Sequence, residues 1–166
     1  MTRPERCGAN RLVVAMAVVA ALAGLAACGT SPDTATVERV IDGDTIVLTG
    51  GEKVRYLLVD APETTNGHAD CFGANAAQLD ADLVLGKTIE LAYDIERTDA
   101  YGRTLAYVSA GGVDINALLV ERGAACVLFI PPDGGDRRAA YEALQADAKA
   151  HRRGIWGTCD PLPPAC

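Results

Sequence analysis

Residues 34–60 read Thr34-Ala-Thr-Val-Glu-Arg-Val-Ile41-Asp42-Gly43-Asp44-Thr45-Ile-Val-Leu48-Thr-Gly50-Gly51-Glu-Lys53-Val-Arg55-Tyr-Leu-Leu-Val-Asp60, and this stretch decides the fold. β-Branched and apolar residues crowd 34–41, 45–48 and 53–60. The breaks between them are Asp42-Gly43-Asp44 and Gly50-Gly51, residue types that favour tight reversals. Three consecutive antiparallel strands form a meander. Downstream, Phe72, Ala76, Leu79 and Leu83 recur at i, i+4, i+7 and i+11, a helical stripe that stops at Gly86. Segments 88–93 and 104–109 have strand composition and are joined as a hairpin by the polar 94–103. Asp114 is placed to cap a short helix with Ile115, Leu118 and Leu119 inward and Gly123 at its end. After the loop Pro131-Pro-Asp-Gly-Gly135, Asp136 opens a last helix to Lys149, with Ala140, Leu144 and Ala148 on one face. Five strands linked as hairpins, without βαβ units, and interleaved with three α-helices predict a mainly β, α+β domain. Its expected form is a five-stranded Greek-key barrel of the OB-fold type.

The 166 residues carry 15 Lys+Arg against 22 Asp+Glu, a net charge of -7, with 49% hydrophobic and 22% charged residues. That composition excludes disordered and collagenous chains, and the length suits one core. The acidic balance argues against a protein that holds nucleic acid by a broad basic surface, since such affinity comes from Lys and Arg displacing phosphate counterions.

Arg3, Arg6 and Arg11 precede sixteen uncharged residues, 12–27. As a helix that run rises about 24 Å, short of the roughly 30 Å hydrocarbon core, so it reads as a secretory signal, 1–27, rather than a permanent span. It ends Leu25-Ala26-Ala27-Cys28, which resembles the lipobox of bacterial lipoproteins and predicts cleavage with lipid on Cys28. The expected location is the extracytoplasmic face of a bacterial membrane, with free secretion the alternative. The tether 28–33 is small and polar, and holds Thr34 within about 25 Å of the anchor. The domain proper is expected over 34–159, followed by a Pro-rich tail, 160–166. Removing 1–27 leaves 12 basic and 21 acidic residues, a net charge of -9.

Cys7 falls in the discarded segment and Cys28 takes the lipid, leaving Cys71, Cys126, Cys159 and Cys166. In an exported domain these form two disulfides, with three connectivities open. No C-x-x-C pair exists and His68 and His151 stand alone, which disfavours zinc.

Three short stretches carry the chemistry. Asp42-Gly-Asp44-Thr45 has the composition of an ordinary turn, and it is not an EF-hand, because Ile46, Val47 and Lys53 occupy positions that need an oxygen, a Gly and a Glu. The strand from Arg55 ends in Asp60-Ala-Pro-Glu63, where Pro62 fixes its own φ and biases Ala61 toward an extended conformation. Asp99-Ala-Tyr-Gly-Arg103 sets a second arginine at a Gly turn entering a strand. Together they are the means of hydrolysing a phosphodiester. Carboxylates such as Asp44 and Asp60 suit a hard cation, planar guanidinium groups grip phosphate oxygens in pairs, and Glu63 is a spare acid to take a proton from water.

Ile41-Asp-Gly-Asp-Thr45, Arg55 with Asp60-Ala-Pro-Glu-Thr64, and Arg97-Thr-Asp-Ala-Tyr-Gly-Arg-Thr-Leu-Ala-Tyr107 are followed by Asn116-Ala-Leu-Leu-Val120 and Gly154-Ile-Trp156. In this order, over residues 34–157, they resemble the staphylococcal nuclease (thermonuclease) family. The resemblance implies an OB-fold barrel with three helices and a calcium-dependent, sugar-nonspecific nuclease acting on DNA and RNA to leave 3′-phosphates. It also implies Asp44 and Asp60 as calcium carboxylates, the Ala61 carbonyl as a further ligand and Asp42 as a supporting acid. Arg55 and Arg103 become the phosphate-binding arginines and Glu63 the general base, with Tyr101 and Phe129 against the substrate. A monomer acting preferentially on single strands is expected. The alternative is a non-catalytic OB-fold lipoprotein that binds nucleic acid.

This sequence departs from the family pattern at Ala61, which replaces a Thr, at Ala100, which replaces a Lys, and at Phe129, which replaces a Tyr. Fewer polar contacts to phosphate predict weaker substrate binding with the chemical step intact. Family members often pair a Cys before the first helix with one after the Trp, which resembles Cys71 with Cys159 and leaves Cys126 for Cys166. Trp156 is expected to pack the C-terminal segment onto the barrel, and Asp133-Gly-Gly-Asp136 to be a turn and helix cap.

Overall fold

The structure, a computed structural model, describes residues 33–64 and 69–166. The signal 1–27, the lipidation candidate Cys28, the tether up to residue 32 and His68 lie outside the described residues. In chain order the elements are β1 (Asp33–Asp42), β2 (Thr45–Leu48), β3 (Lys53–Tyr56), β4 (Leu58–Asp60) and α1 (Gly73–Val84), then β5 (Thr88–Ala92), β6 (Thr104–Ala110) and β7 (Val113–Asp114). They continue with α2 (Ile115–Glu121), β8 (Cys126–Leu128), α3 (Arg138–Ala150) and a final single turn, α4 (Ile155–Thr158).

Five of these strands close on themselves. β1 pairs with β5 through its first residues, Asp33 to Thr36, and with β2 through its last, Val37 to Asp42. Two register shifts in the second half bend β1 enough to serve both neighbours. β2 pairs with β3, β5 with β6, and the parallel pairing of β3 with β6 completes the ring. This is the expected five-stranded barrel with three helices of more than one turn. Val37, Ile46, Val54, Tyr56, Ile89, Leu91, Ala106 and Val108 are buried within one core that continues into Ile115, Leu119 and Val120 of α2.

The expected strand 53–60 is two strands. Leu58 has φ 62, a left-handed conformation that costs a non-glycine residue roughly 1–3 kcal/mol. The surroundings hold it there. Leu57 N–H donates to the Ala106 carbonyl at 3.0 Å, and buried Asn116 donates from Nδ2 to the carbonyls of Leu57 at 2.9 Å and Ala106 at 3.2 Å. The chain therefore leaves the barrel at Leu57, and β4 pairs with β8, setting Asp60 opposite Cys126. Three-residue strands are too short for periodicity to foretell.

Two helical faces are rotated from their expected positions. In α1 the buried residues are Gly73, Ala76, Asp80 and Val84, with Leu79 and Leu83 flanking and Phe72 as the N-cap residue. In α3 Tyr141 and Ala148 are buried, whereas Ala140 is exposed. Tyr141 donates its hydroxyl to the Asp114 carboxylate, at 3.1 and 3.0 Å, and this anchors the helix. Asp136 does not cap α3, whose N-cap is Arg137. The preceding turn is instead held by Asp94 Oδ2 accepting from Gly134 N–H at 2.7 Å. Asp114 caps α2 as expected, accepting from Ala117 N–H at 3.0 Å, while Leu118 is only half-buried and Asn116 takes the inner position.

Cys71 is joined to Cys159 and Cys126 to Cys166, with Cα separations of 5.8 and 5.5 Å. Closing 88 residues of chain, the first bridge is worth about 4 kcal/mol in the loop-entropy account. The second stitches 160–166 onto the domain, where Pro163 is buried. Trp156 is half-buried under the Lys149 ammonium, 4.3 Å from its ring, and Ile155 is the residue that enters the interior.

Asp80 is fully buried, with Tyr56 Oη donating to its Oδ1 at 3.0 Å. Burial first, opposed by that hydrogen bond and reinforced by Asp44 and Asp42, pushes Asp80 up to about 8. The folded protein thus keeps Asp80 protonated where the unfolded chain, titrating near 4, has lost the proton. Unfolding then releases a proton between about pH 4 and 8, so stability attributable to Asp80 falls as pH rises through that window. Asp80→Asn removes this dependence and keeps the acceptor for Tyr56. In urea titrations without added metal, the variant should gain on the wild type across the window by up to about 1.4 kcal/mol per pH unit. Parallel pH profiles would show Asp80 to be ionised in the fold.

Candidate active site

The turn between β1 and β2 is folded by its own side chains. Asp42 Oδ1 accepts from Asp44 N–H at 3.2 Å, the local pattern by which Asp makes turns. Gly43 is required by close approach, because a Cβ there would lie 2.8 Å from the Cβ atoms of both Ala61 and Ala76. The turn is thereby pressed between the exit of β4 and the first turns of α1. Asp42 and Asp44 are both buried.

Asp44 is held on both oxygens. Its Oδ2 accepts from Ala61 N–H at 2.7 Å, and its Oδ1 accepts from Thr45 Oγ1 at 2.9 Å and lies 3.3 Å from Arg55 Nε. The same guanidinium reaches Asp60 Oδ1 through Nη2 at 2.8 Å, and donates from Nη1 to the carbonyls of Tyr56, at 3.0 Å, and Val59. The Arg55 guanidinium thus reaches into the kink between β3 and β4, its side chain 12% exposed and in contact with both carboxylates.

Around Asp60 the remaining residues gather. Burial raises its carboxyl to about 6; the Arg55 guanidinium opposes this, Asp44 and Glu63 add to it, and Arg103 opposes it. Asp42 is raised to about 7, by burial first and then by the Asp44 carboxylate, with Glu63 contributing. Glu63 is itself exposed, two residues beyond buried Ala61 and one beyond buried Pro62.

Arg103 arrives from the far side of the barrel through the parallel β3–β6 pairing, which sets Arg55 opposite Leu105. Asp99 orients it. One Asp99 oxygen accepts from Tyr101 N–H and Arg103 N–H, each at 2.9 Å, and the other from Arg103 Nε at 2.7 Å. Burial works against the Asp99 charge, but these bonds outweigh it and hold the carboxyl below its ordinary value. A cleft of about 770 Å³ opens beside the two arginines, lined also by Thr98, Ala100, Leu105, Leu128 and Ile130.

Two expected substrate contacts are placed differently. Leu128 and Ile130 line the cleft, while Phe129 between them packs on the core with the Arg138 guanidinium 4.5 Å over its ring. Successive residues of an extended chain point to opposite faces, so identifying the aromatic was not enough to place it. Tyr101 is 86% exposed at the rim, 5.6 Å from Arg103, and available to an incoming base rather than committed to the protein.

The donor set suits a hard divalent cation. Among the described residues no three His, Cys, Asp or Glu side chains converge on one point, so a cation here would be held by two carboxylates, Asp44 and Asp60, with a carbonyl and water. Both carboxylates lie within reach of one guanidinium, and burial is the first cause that raises the carboxyls of Asp42 and Asp60, with neighbouring acids adding to it. Asp42 has one oxygen committed to the turn, in keeping with a supporting position.

Asp99 and Asp70 were not singled out from the sequence. The Asp at the head of Asp99-Ala-Tyr-Gly was a legible turn signal, but its grip on Arg103 was not. Asp70, whose Oδ2 accepts from Glu63 N–H at 3.1 Å, offered no signal at all.

The family model described as Staphylococcal nuclease homologue matches residues 53–158. The chain is 38% identical over 125 residues to the thermonuclease of Staphylococcus intermedius, covering 72% of this chain and 74% of that protein. It is 36% identical over 127 residues to endonuclease YncB of Bacillus subtilis, covering 73% and 60% of the two chains. With an uncharacterized endonuclease of Escherichia coli it shares 34% identity over 132 residues, covering 77% and 80%. A family match over more than half of the sequence, including Arg55, Asp60, Glu63 and Arg103, establishes that the chain belongs to the staphylococcal nuclease family.

Proposed function

We propose that this protein is a calcium-dependent nuclease that hydrolyses phosphodiester bonds of DNA and RNA, preferring single strands and leaving 3′-phosphates. The observation that carries the reading is the guanidinium of Arg55 seated between Asp44 and Asp60, with Glu63 and Arg103 both close enough to act on Asp60. When bound, calcium supplies positive charge against the non-bridging phosphoryl oxygens.

The chain's own residues do the rest. Glu63, exposed and beside the carboxylate pair, takes a proton from the attacking water, whose oxygen forms the new bond to phosphorus. Arg103, whose Nε is committed to Asp99, offers the planar N–H groups of its far end to the equatorial oxygens as charge accumulates, while Arg55, already bonded to the Tyr56 and Val59 carbonyls and to Asp60, adds its positive charge beside them. The P–O bond to the 5′ oxygen breaks, and that oxygen takes up a proton from water. Both arginines are held in place by carboxylates before substrate arrives, so little ordering remains for the transition state. Ala100 and Leu128 in the cleft supply no phosphate contact, which fits weak ground-state binding.

Cleavage of single-stranded DNA should require calcium and stop with EDTA. Glu63→Gln should lower kcat by about 10²–10⁴-fold with the calcium midpoint preserved. Substrate binding without cleavage in calcium would favour the non-catalytic alternative. With a net charge of -9 on 28–166, binding by the Glu63→Gln variant should weaken with added salt on a shallow slope, worth few released counterions. A steep slope would place the holding charge outside this site.

The protein is further proposed to be exported and lipid-anchored through Cys28, supported by Leu25-Ala26-Ala27-Cys28 after a basic, apolar leader. Metabolic labelling with palmitate should mark the protein and fail in Cys28→Ser. A mature N-terminus without lipid would leave free secretion.

A further inference from the structure

Glu63 is exposed, whereas Asp44 is buried and Arg55 and Asp60 are partly buried. Glu63 lies on an irregular segment, yet a general base must come within about 2.6–3.2 Å of the water oxygen whose proton it removes, and an error of about 1 Å can cost 10²-fold. Something must fix its backbone. Glu63 and Asp70 exchange two hydrogen bonds: Glu63 N–H donates to Asp70 Oδ2 at 3.1 Å, and Asp70 N–H donates to the Glu63 carbonyl at 3.0 Å. Both main-chain polar groups of Glu63 are thus engaged by one residue, and the direction of its Cα–Cβ bond follows.

Asp70 is in turn mounted on the start of α1. Its carbonyl accepts from Gly73 N–H at 3.0 Å, and Gly73 is pressed against the same segment. A Cβ at Gly73 would stand 2.7 Å from the Glu63 carbonyl oxygen, 2.9 Å from Thr64 Cγ2 and 3.1 Å from the Pro62 carbonyl oxygen. The next residue after Asp70 is Cys71, bonded to Cys159 at the other end of the domain's sequence. The support runs from a covalent bridge through one carboxylate to the backbone of the base.

We propose that Asp70 is a positioning residue for Glu63, acting through the hydrogen bond to the Glu63 amide rather than through its charge. The inference rests on the reading of Glu63 as the general base. An acceptor at Asp70 is what matters, so Asn serves nearly as well as Asp, whereas Ala does not.

Three proteins, the wild type, Asp70→Ala and Asp70→Asn, decide it. Asp70→Ala should lower kcat for single-stranded DNA about tenfold or more, with KM and the calcium midpoint within about twofold, the pattern of a group needed only in the transition state. Asp70→Asn should stay within about threefold of the wild type. Amide hydrogen exchange at Glu63, measured without calcium or substrate, should be about tenfold faster in Asp70→Ala and unchanged in Asp70→Asn. Unchanged kcat in Asp70→Ala, or an Asn variant as impaired as the Ala variant, overturns the proposal. Should the wild type not cleave at all, the nuclease reading fails, while the exchange rates still report whether Asp70 holds the Glu63 amide.

Discussion

The site depends on one guanidinium in a bend. Arg55 contacts Asp44 in the turn just before β2, Asp60 at the end of β4, and the carbonyls of Tyr56 in β3 and Val59 in β4. Without that cation, two carboxylates would face each other in a half-buried setting, and burying unpaired charge costs several kcal/mol per ion. With it they are held apart and oriented. The kink at Leu58 is the backbone counterpart, since a straight strand would carry Asp60 along the barrel wall. Asn116 stabilises the kink by occupying the carbonyl freed at Leu57.

The acids of this region are not alike, and their surroundings separate them. Asp99 is held charged by three donors and serves to aim Arg103. Asp80 lies beneath the site, fully buried against Tyr56 and pushed toward the neutral form, so it adds a hydrogen bond and not another negative charge. Asp42 and Asp60 are raised less, and both feel Asp44 and Glu63. A nucleic acid is a polyanion and residues 28–166 carry a net charge of -9, so the local placement of Arg55 and Arg103 has to outweigh the global repulsion.

Some of this was legible before any coordinates. The meander, the cap at Asp114 and the barrel class follow from alternation and turn chemistry, which act over a few residues. The charged residues at 44, 55, 60, 63 and 103 were named from motifs. The helical stripes were found but rotated by a residue, because a fully buried acid such as Asp80 interrupts an apolar count. Phe129 was assigned to the substrate from the family position it matches, whereas here it packs on the core side and its neighbours Leu128 and Ile130 line the cleft.

By itself, then, the sequence determined which chemistry is possible here: a turn rich in acids, a strand bounded by Arg55 and Asp60, and Glu63 fixed just beyond Pro62. Those are local facts, set by side-chain type and backbone bias within a dozen residues. Only the tertiary structure decided that Arg103 stands beside Arg55, through a parallel pairing of strands about fifty residues apart that no local preference encodes. It likewise decided that Asp70 faces the Glu63 amide and that Asn116 closes the kink at Leu57. Hydrogen bonds between distant segments form where packing of the whole barrel brings donor and acceptor together, and a pattern read along the chain contains no term for that distance.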